Sequence, residues 1–130
     1  MANSLYAKGK EKFLSGAINL ITDTIKVSLV KNTYPQNVST DEFYTDISAY
    51  VIGTPQTLAA KSVALGVFDA GDVTYTAVTA GDTLEGVVIY KDTGTASTSP
   101  LVAYVDFGSD VSSTNANFAV SFSSPLRFQN

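Results

Sequence analysis

The hydrophobic period of this chain changes from about 3.6 residues to 2 near Ile25, and after one long connection it returns to 2 from Thr54 and stays there. Phe13, Leu14, Ala17, Ile18 and Ile21 recur at helical spacing. From Ile25 onward apolar residues alternate with polar ones, Ile25, Val27 and Leu29 against Lys26 and Ser28. That switch confines the chain to one amphipathic helix followed by strands. It predicts a helix over residues 4–18, with Asn3 or Ser4 as its cap. Gly9 and Gly16 fall inside that span, and each costs a helix interior about 1 kcal/mol relative to alanine. Such a helix must cover one face or end of a sheet.

The alternation at Ile25–Leu29 predicts a half-buried strand. Residues 32–53 then form the longest connection. Asn32 to Thr40 is polar and contains Pro35, while Asp41 to Ile47 can make one helical turn capped by Thr40 or Asp41, with Phe43, Tyr44 and Ile47 turned inward. Long connections in small domains are functional or disordered, and the aromatic residues argue against disorder. From Thr54 the strand pattern returns: Val63, Leu65 and Val67 alternate, and Phe68 to Asp72 turns the chain into Val73, Tyr75 and Ala77. Ala80-Gly81-Asp82 is a further turn, and the unbroken apolar run Val87 to Tyr90 predicts a central strand covered on both faces. After the Thr/Ser/Gly loop from Asp92 to Pro100 come Leu101, Ala103, Val105 and Phe107 on one side of a strand, then Phe118, Val120 and Phe122, then Leu126 and Phe128. Pro125 belongs at an edge or a bulge.

Short strands with turn signals about every 8–12 residues define the fold class. It is mainly β: an antiparallel β-sandwich, with a jelly roll as one variant, carrying an N-terminal α-helix and a short second helical turn. At 130 residues the chain is one domain by size, the helix over 4–18 and the sandwich over 24–130, large enough to bury a core without disulfides.

The composition excludes much chemistry. There is no histidine and no cysteine, so an imidazole base near neutral pH, a thiol nucleophile and the usual structural zinc sites are out of reach. No Ser-x-x-Lys and no glycine-rich phosphate cradle is present. The paired carboxylates, Asp69 with Asp72 and Asp82 with Glu85, sit in glycine-containing turns, where aspartate is favoured for backbone hydrogen bonding. Asp69 to Asp72 lacks the alternating ligands and terminal glutamate of a calcium loop. Asn37-Val38-Ser39 matches a glycosylation acceptor, but nothing resembling a secretory signal precedes it. No enzyme activity, metal or cofactor is expected.

Net charge is −4, which argues against a nucleic-acid partner. It is unevenly spread: up to Lys31 the chain is net +3, and beyond it net −7. No apolar run reaches membrane-spanning length, so synthesis in the cytoplasm and no membrane partner are expected. A low charged fraction, 15%, suits lasting protein contacts. Tyr6, Tyr34, Tyr44, Tyr50 and Tyr75 are not forced inward by the pattern and could anchor a protein contact or stack on sugars. A carbohydrate-binding sandwich therefore stands as an alternative, although such platforms usually carry tryptophan and this chain has none.

Four stretches carry a resemblance: Thr22 to Val30 after a glycine-containing helix, Gly66 to Tyr75, Glu85 to Gly94, and Leu101 to Phe107. In this order they resemble small virion structural proteins of tailed bacteriophages, across nearly the whole chain, as phrases of strands and turns and not as catalytic motifs. The resemblance implies a particle component located in the virion. The first role it implies is a capsid cement or decoration protein. Such a protein binds the outside of the major capsid protein shell, often as a dimer or trimer. A tail or baseplate accessory protein is the second. It transfers no catalytic or binding residue. The expected contact segments are residues 1–12 and 32–53, with Tyr6, Lys8, Lys10, Lys12, Tyr34 and Tyr44 as candidate interface residues.

Overall fold

A computed structural model describes residues 4–120 and 126–127. Asn3, Phe122, Pro125 and Phe128, which the sequence reading placed at a cap or in strands, lie outside the described residues.

The chain is mainly β and antiparallel, as its period requires. In chain order the elements are β1 (Ser4–Leu5), α1 (Ala7–Leu14), β2 (Ile25–Lys31), β3 (Val51–Thr57), β4 (Ser62–Ala64), β5 (Val67–Asp69), β6 (Val73–Tyr75), β7 (Thr83–Lys91), β8 (Leu101–Ser112), β9 (Phe118–Val120) and β10 (Leu126–Arg127). The main sheet runs β1-β8-β7-β2-β3; β10-β5-β4 and β6-β9 form two smaller sheets.

The core has two parts, one on each face of the main sheet. On the first face Ile25, Val27 and Leu29 of β2, Val87 and Ile89 of β7 and Ala103 of β8 meet Phe68, Tyr75, Val78 and Val120 from the smaller sheets and their turns. This is the sandwich interior. The Tyr75 hydroxyl donates to the Val27 carbonyl, tying the two layers together. On the second face Val30, Val88 and Tyr104 meet Tyr6, Tyr34, Ile47 and Leu101. The run Val87 to Tyr90 is buried on both faces, as a central strand must be.

Several expectations need correction. The helix covers Ala7–Leu14, not 4–18, and Ser4 does not cap it but pairs with Tyr104 at the sheet edge. Gly16, at φ +80°, ends the helical turn, so Leu14 is left exposed and Ile18 reaches the core from a loop. Gly9 is required by packing: a Cβ there would lie 2.5 Å from the Leu101 carbonyl oxygen, so α1 sits directly on the β8 backbone. Strand β2 is not half-buried, because Ser28 and Val30 on its second face are also covered.

Val63 and Val67 belong to two strands, with Leu65-Gly66 as the turn of a tight hairpin between them. Leu101 does not share a face with Ala103: pairing of Ile89 with Ala103 and Tyr90 with Leu101 leaves Val102 as a bulge, which turns Leu101 to the second face. The long connection ends at residue 50, where β3 begins, and its helical part is two 3-10 turns, Tyr44–Asp46 and Ser48–Tyr50, not one turn over 41–47. Asp46 supplies the cap from within, accepting from the Glu42 and Phe43 amides. Of Phe43, Tyr44 and Ile47 only Ile47 is fully buried.

Candidate functional site

The candidate contact residues fall on the second face of the main sheet, where the N-terminal segment and the 32–50 connection meet. Tyr6 leaves β1 with its amide bonded to the Val102 carbonyl, and Ala7 donates to Val38. These two bonds fix the N-terminal segment between β8 and the connection. Tyr6 is 0% exposed and Tyr34 4% exposed, so neither is available to a partner. Their ring ends are held by a relay. Tyr34 donates its single hydroxyl proton to Asp41 Oδ2 at 2.5 Å, which leaves Tyr6 to donate to the Tyr34 oxygen at 2.9 Å. Burial, then the Asp41 and Tyr6 contacts, push the Tyr34 hydroxyl far above its ordinary pKa. Tyr6 is raised chiefly by burial.

The relay belongs to a larger layer. Six of the seven tyrosines lie on this face: Tyr6, Tyr34, Tyr90 and Tyr104 within the cluster, Tyr44 and Tyr50 against it. Ring centroids are 5.6 Å apart for Tyr34–Tyr50, 6.0 Å for Tyr34–Tyr104 and 4.7 Å for Tyr44–Tyr90, all tilted. Tilted aromatic pairs are the favoured arrangement, and tyrosine can bury its ring while its hydroxyl finds a partner.

The lysines are mostly occupied within the molecule. Lys12 bonds Glu42 at 2.6 Å and lies 5.0 Å over the Phe43 ring, fastening α1 to the connection. Lys8 pairs with Glu11 at 3.2 Å one turn away. Lys26, Lys31 and Lys91 pair with Asp92, Asp82 and Asp23. Lys61 donates to the Asp23 carbonyl. Lys10 is exposed on the helix. The expected basic segment is therefore neutralised in large part by the acidic body of its own chain.

Tyr44 stands apart from the relay. It is half-buried and helps line a shallow cleft of about 200 Å³ with Lys26, Pro55, Tyr90, Asp92 and Ser99. The bond from Lys26, then the Gly94 amide, hold the Asp92 carboxyl below its usual range. Burial and the neighbouring Tyr44 push Tyr90 up to about 12. A larger groove of about 390 Å³ runs between Gly53-Thr54 and Thr76–Thr79 over the edge of Tyr75.

The turn carboxylates do turn work: Asp69 accepts from the Ala70 amide, and Asp82 is held against Lys31 and Ser113. No group of three acidic residues is arranged to hold a metal ion among the described residues. No helix among them is long and apolar enough to cross a membrane.

The structure thus joins Tyr6, Tyr34 and Lys12 around the N-terminal segment, leaves Lys8 and Lys10 on the outer helix face, and places Tyr44 at a separate cleft. Sequence reasoning missed the most exposed apolar residues of the β body, Val63 at 55% and Leu65 at 102% exposure. The signal was an Ala-Leu-Gly-Val run, in which a glycine follows a leucine at the midpoint of an alternating stretch. No family model matches the chain, and no curated protein matches it.

Proposed function

We propose that this protein is a non-enzymatic structural component of a tailed-bacteriophage particle, acting as a capsid cement protein on the major capsid shell. The observation that carries the reading is the cross-bracing of the molecule. Lys12–Glu42, Lys26–Asp92, Lys31–Asp82 and Lys91–Asp23 each join segments far apart in sequence, and the tyrosine layer fills the face between them. The side chains that could have formed a reactive or basic surface instead hold a shape. A cement protein needs a stiff body and many modest contacts, which repetition on a symmetric shell turns into lasting attachment. The resemblance of the strand phrases to small virion proteins points the same way.

The test is co-sedimentation of the purified chain with empty shells assembled from a tailed-bacteriophage major capsid protein taken from the genome that carries this gene. Saturable binding at many sites per shell is expected. Binding to purified tails and not to shells would replace this role with the tail or baseplate one. Binding to neither would remove the virion reading.

The cleft at Tyr44 supports a second reading, a carbohydrate contact, since a half-exposed ring stands beside the Lys26–Asp92 pair. The burial of Tyr6, Tyr34 and Tyr75 leaves little aromatic surface for it. Specific retention on a glycan array, lost in Tyr44→Ala, would favour it over cement.

A further inference from the structure

The sheet edges of this molecule are finished in different ways. In the main sheet one outer strand, β1, is two residues long. The other, β3, carries Pro55 and Gly53 at φ +72°, and between Val27–Gln56 and Leu29–Ile52 it holds two more residues than β2. Short edges, prolines and bulges prevent one sheet edge from pairing with another. Strand β4, an outer strand of the three-stranded sheet, is also short, at three residues, but carries no proline and no bulge. It reads Ser62-Val63-Ala64, without charge or proline, in regular register with β5, and all three residues are exposed. Among the described residues its backbone makes no bond beyond β5.

Two apolar side chains here are left largely uncovered within one copy. Val63 lies directly across from Phe68, so the two share a sheet face. Phe68 is 2% exposed in the core and Val63 is 55% exposed, so the apolar inner face runs to the edge and stops uncovered. Leu65 occupies the first position of a two-residue turn at φ +52°, followed by Gly66 at φ +76°. Such turns favour asparagine, aspartate or glycine, and a leucine there is strained. Leu65 is fully exposed and gains no burial in return.

We propose that β4 is a self-pairing edge, through which two copies of this chain join antiparallel across a twofold axis at Val63. The two three-stranded sheets then become one of six strands. The Val63 side chains meet at the axis, Ser62 faces Ala64 of the second copy, and Leu65 comes opposite the stem of the second copy's Lys61. Identical edges pair in this isologous way, each surface meeting itself. Three residues per strand fall well short of the roughly 800 Å² per partner of a standard stable interface, so the pair is weak alone. It would become durable only where copies are held side by side. The proposal does not depend on the virion reading.

Sedimentation velocity over a wide concentration range, on the full chain, tests it. A reversible monomer–dimer equilibrium is expected. Val63→Lys places like charges face to face at the axis and should weaken association by about tenfold or more. Leu65→Asn suits the turn and lies outside the core, so it should weaken association while leaving the fold intact by circular dichroism. It decides the matter if Val63→Lys fails to fold. A wild-type chain that stays monomeric at the highest reachable concentration would overturn the proposal. So would a trimer, or a dimer whose constant is the same in Leu65→Asn.

Discussion

The tyrosine relay makes a prediction whose sign reverses with genetic background. Tyr34→Phe removes the hydroxyl that donates to Asp41 at 2.5 Å and accepts from Tyr6 at 2.9 Å. A hydrogen bond to a charged group contributes about 1.5–3 kcal/mol, and a buried donor left unpaired costs about 1–3 kcal/mol. Asp41 is only partly buried, so the first figure falls toward its lower end, and Tyr34→Phe should cost about 3 kcal/mol in all. Tyr6→Phe in the wild type removes one neutral hydrogen bond and should cost about 1 kcal/mol. In the Tyr34→Phe background Tyr6 has already lost its acceptor at 0% exposure. Removing its hydroxyl there should restore about 1 kcal/mol, so the double variant is more stable than Tyr34→Phe alone. Urea denaturation of the four proteins, with a common slope, measures the cycle. Additive costs, or a Tyr6→Phe that destabilises both backgrounds equally, would refute the relay.

Alkaline stability should depend on the same residues. Tyr6, Tyr34, Tyr75, Tyr90 and Tyr104 all have hydroxyls raised by burial first of all. A raised folded value means the unfolded chain loses these protons first, so stability is full below about pH 10 and falls above it. Each of these five costs up to about 1.4 kcal/mol per pH unit above that point, and their share of the tyrosinate absorbance, isolated in a Tyr44→Phe/Tyr50→Phe background, should rise in step with loss of structure, not before it. Gly9→Ala should destabilise despite the gain in helix propensity of about 1 kcal/mol, because its Cβ meets the Leu101 carbonyl at 2.5 Å. A higher thermal midpoint for that variant would show that α1 does not rest on β8. Lys12→Met keeps the aliphatic stem but loses the Glu42 bond and the contact over Phe43, and should cost about 1 kcal/mol. The deficit relative to wild type should shrink in high salt, which a denaturation series at two ionic strengths would reveal.

The parts of the fold legible in the sequence are those where one side-chain pattern serves one cover. Val87 to Tyr90 reads as buried on both faces because all four side chains are apolar or aromatic. Ile25, Val27 and Leu29 read correctly as a core face, but Lys26 and Ser28 made the other face look wet. It is dry because the 32–50 connection lies over it. Its buried anchors there are Ile47 and Tyr34, and Tyr34 can be buried because its hydroxyl ends on the Asp41 carboxylate. Tyrosine's ambiguity in a pattern is therefore its use in the fold: it closes a face that leucine would have closed more visibly.

The same ambiguity governed the candidate site. No period forces Tyr6 and Tyr34 inward, and they are inside because each satisfies the other's hydroxyl across 28 residues while Asp41 takes the Tyr34 proton. The hairpin was hidden by the opposite effect. Val63, Leu65 and Val67 alternate in the sequence across a point where the chain reverses, yet the two-residue turn pairs Val63 with Phe68 and Ala64 with Val67, so Val63 and Val67 end on opposite faces. Alternation reports a shared face only within one strand, and it does not mark where that strand ends. A leucine in a turn position made for glycine or asparagine breaks the local rule without an internal gain, and such breaks are expected at functional or strained sites, which is why Leu65→Asn is the sharper of the two edge variants.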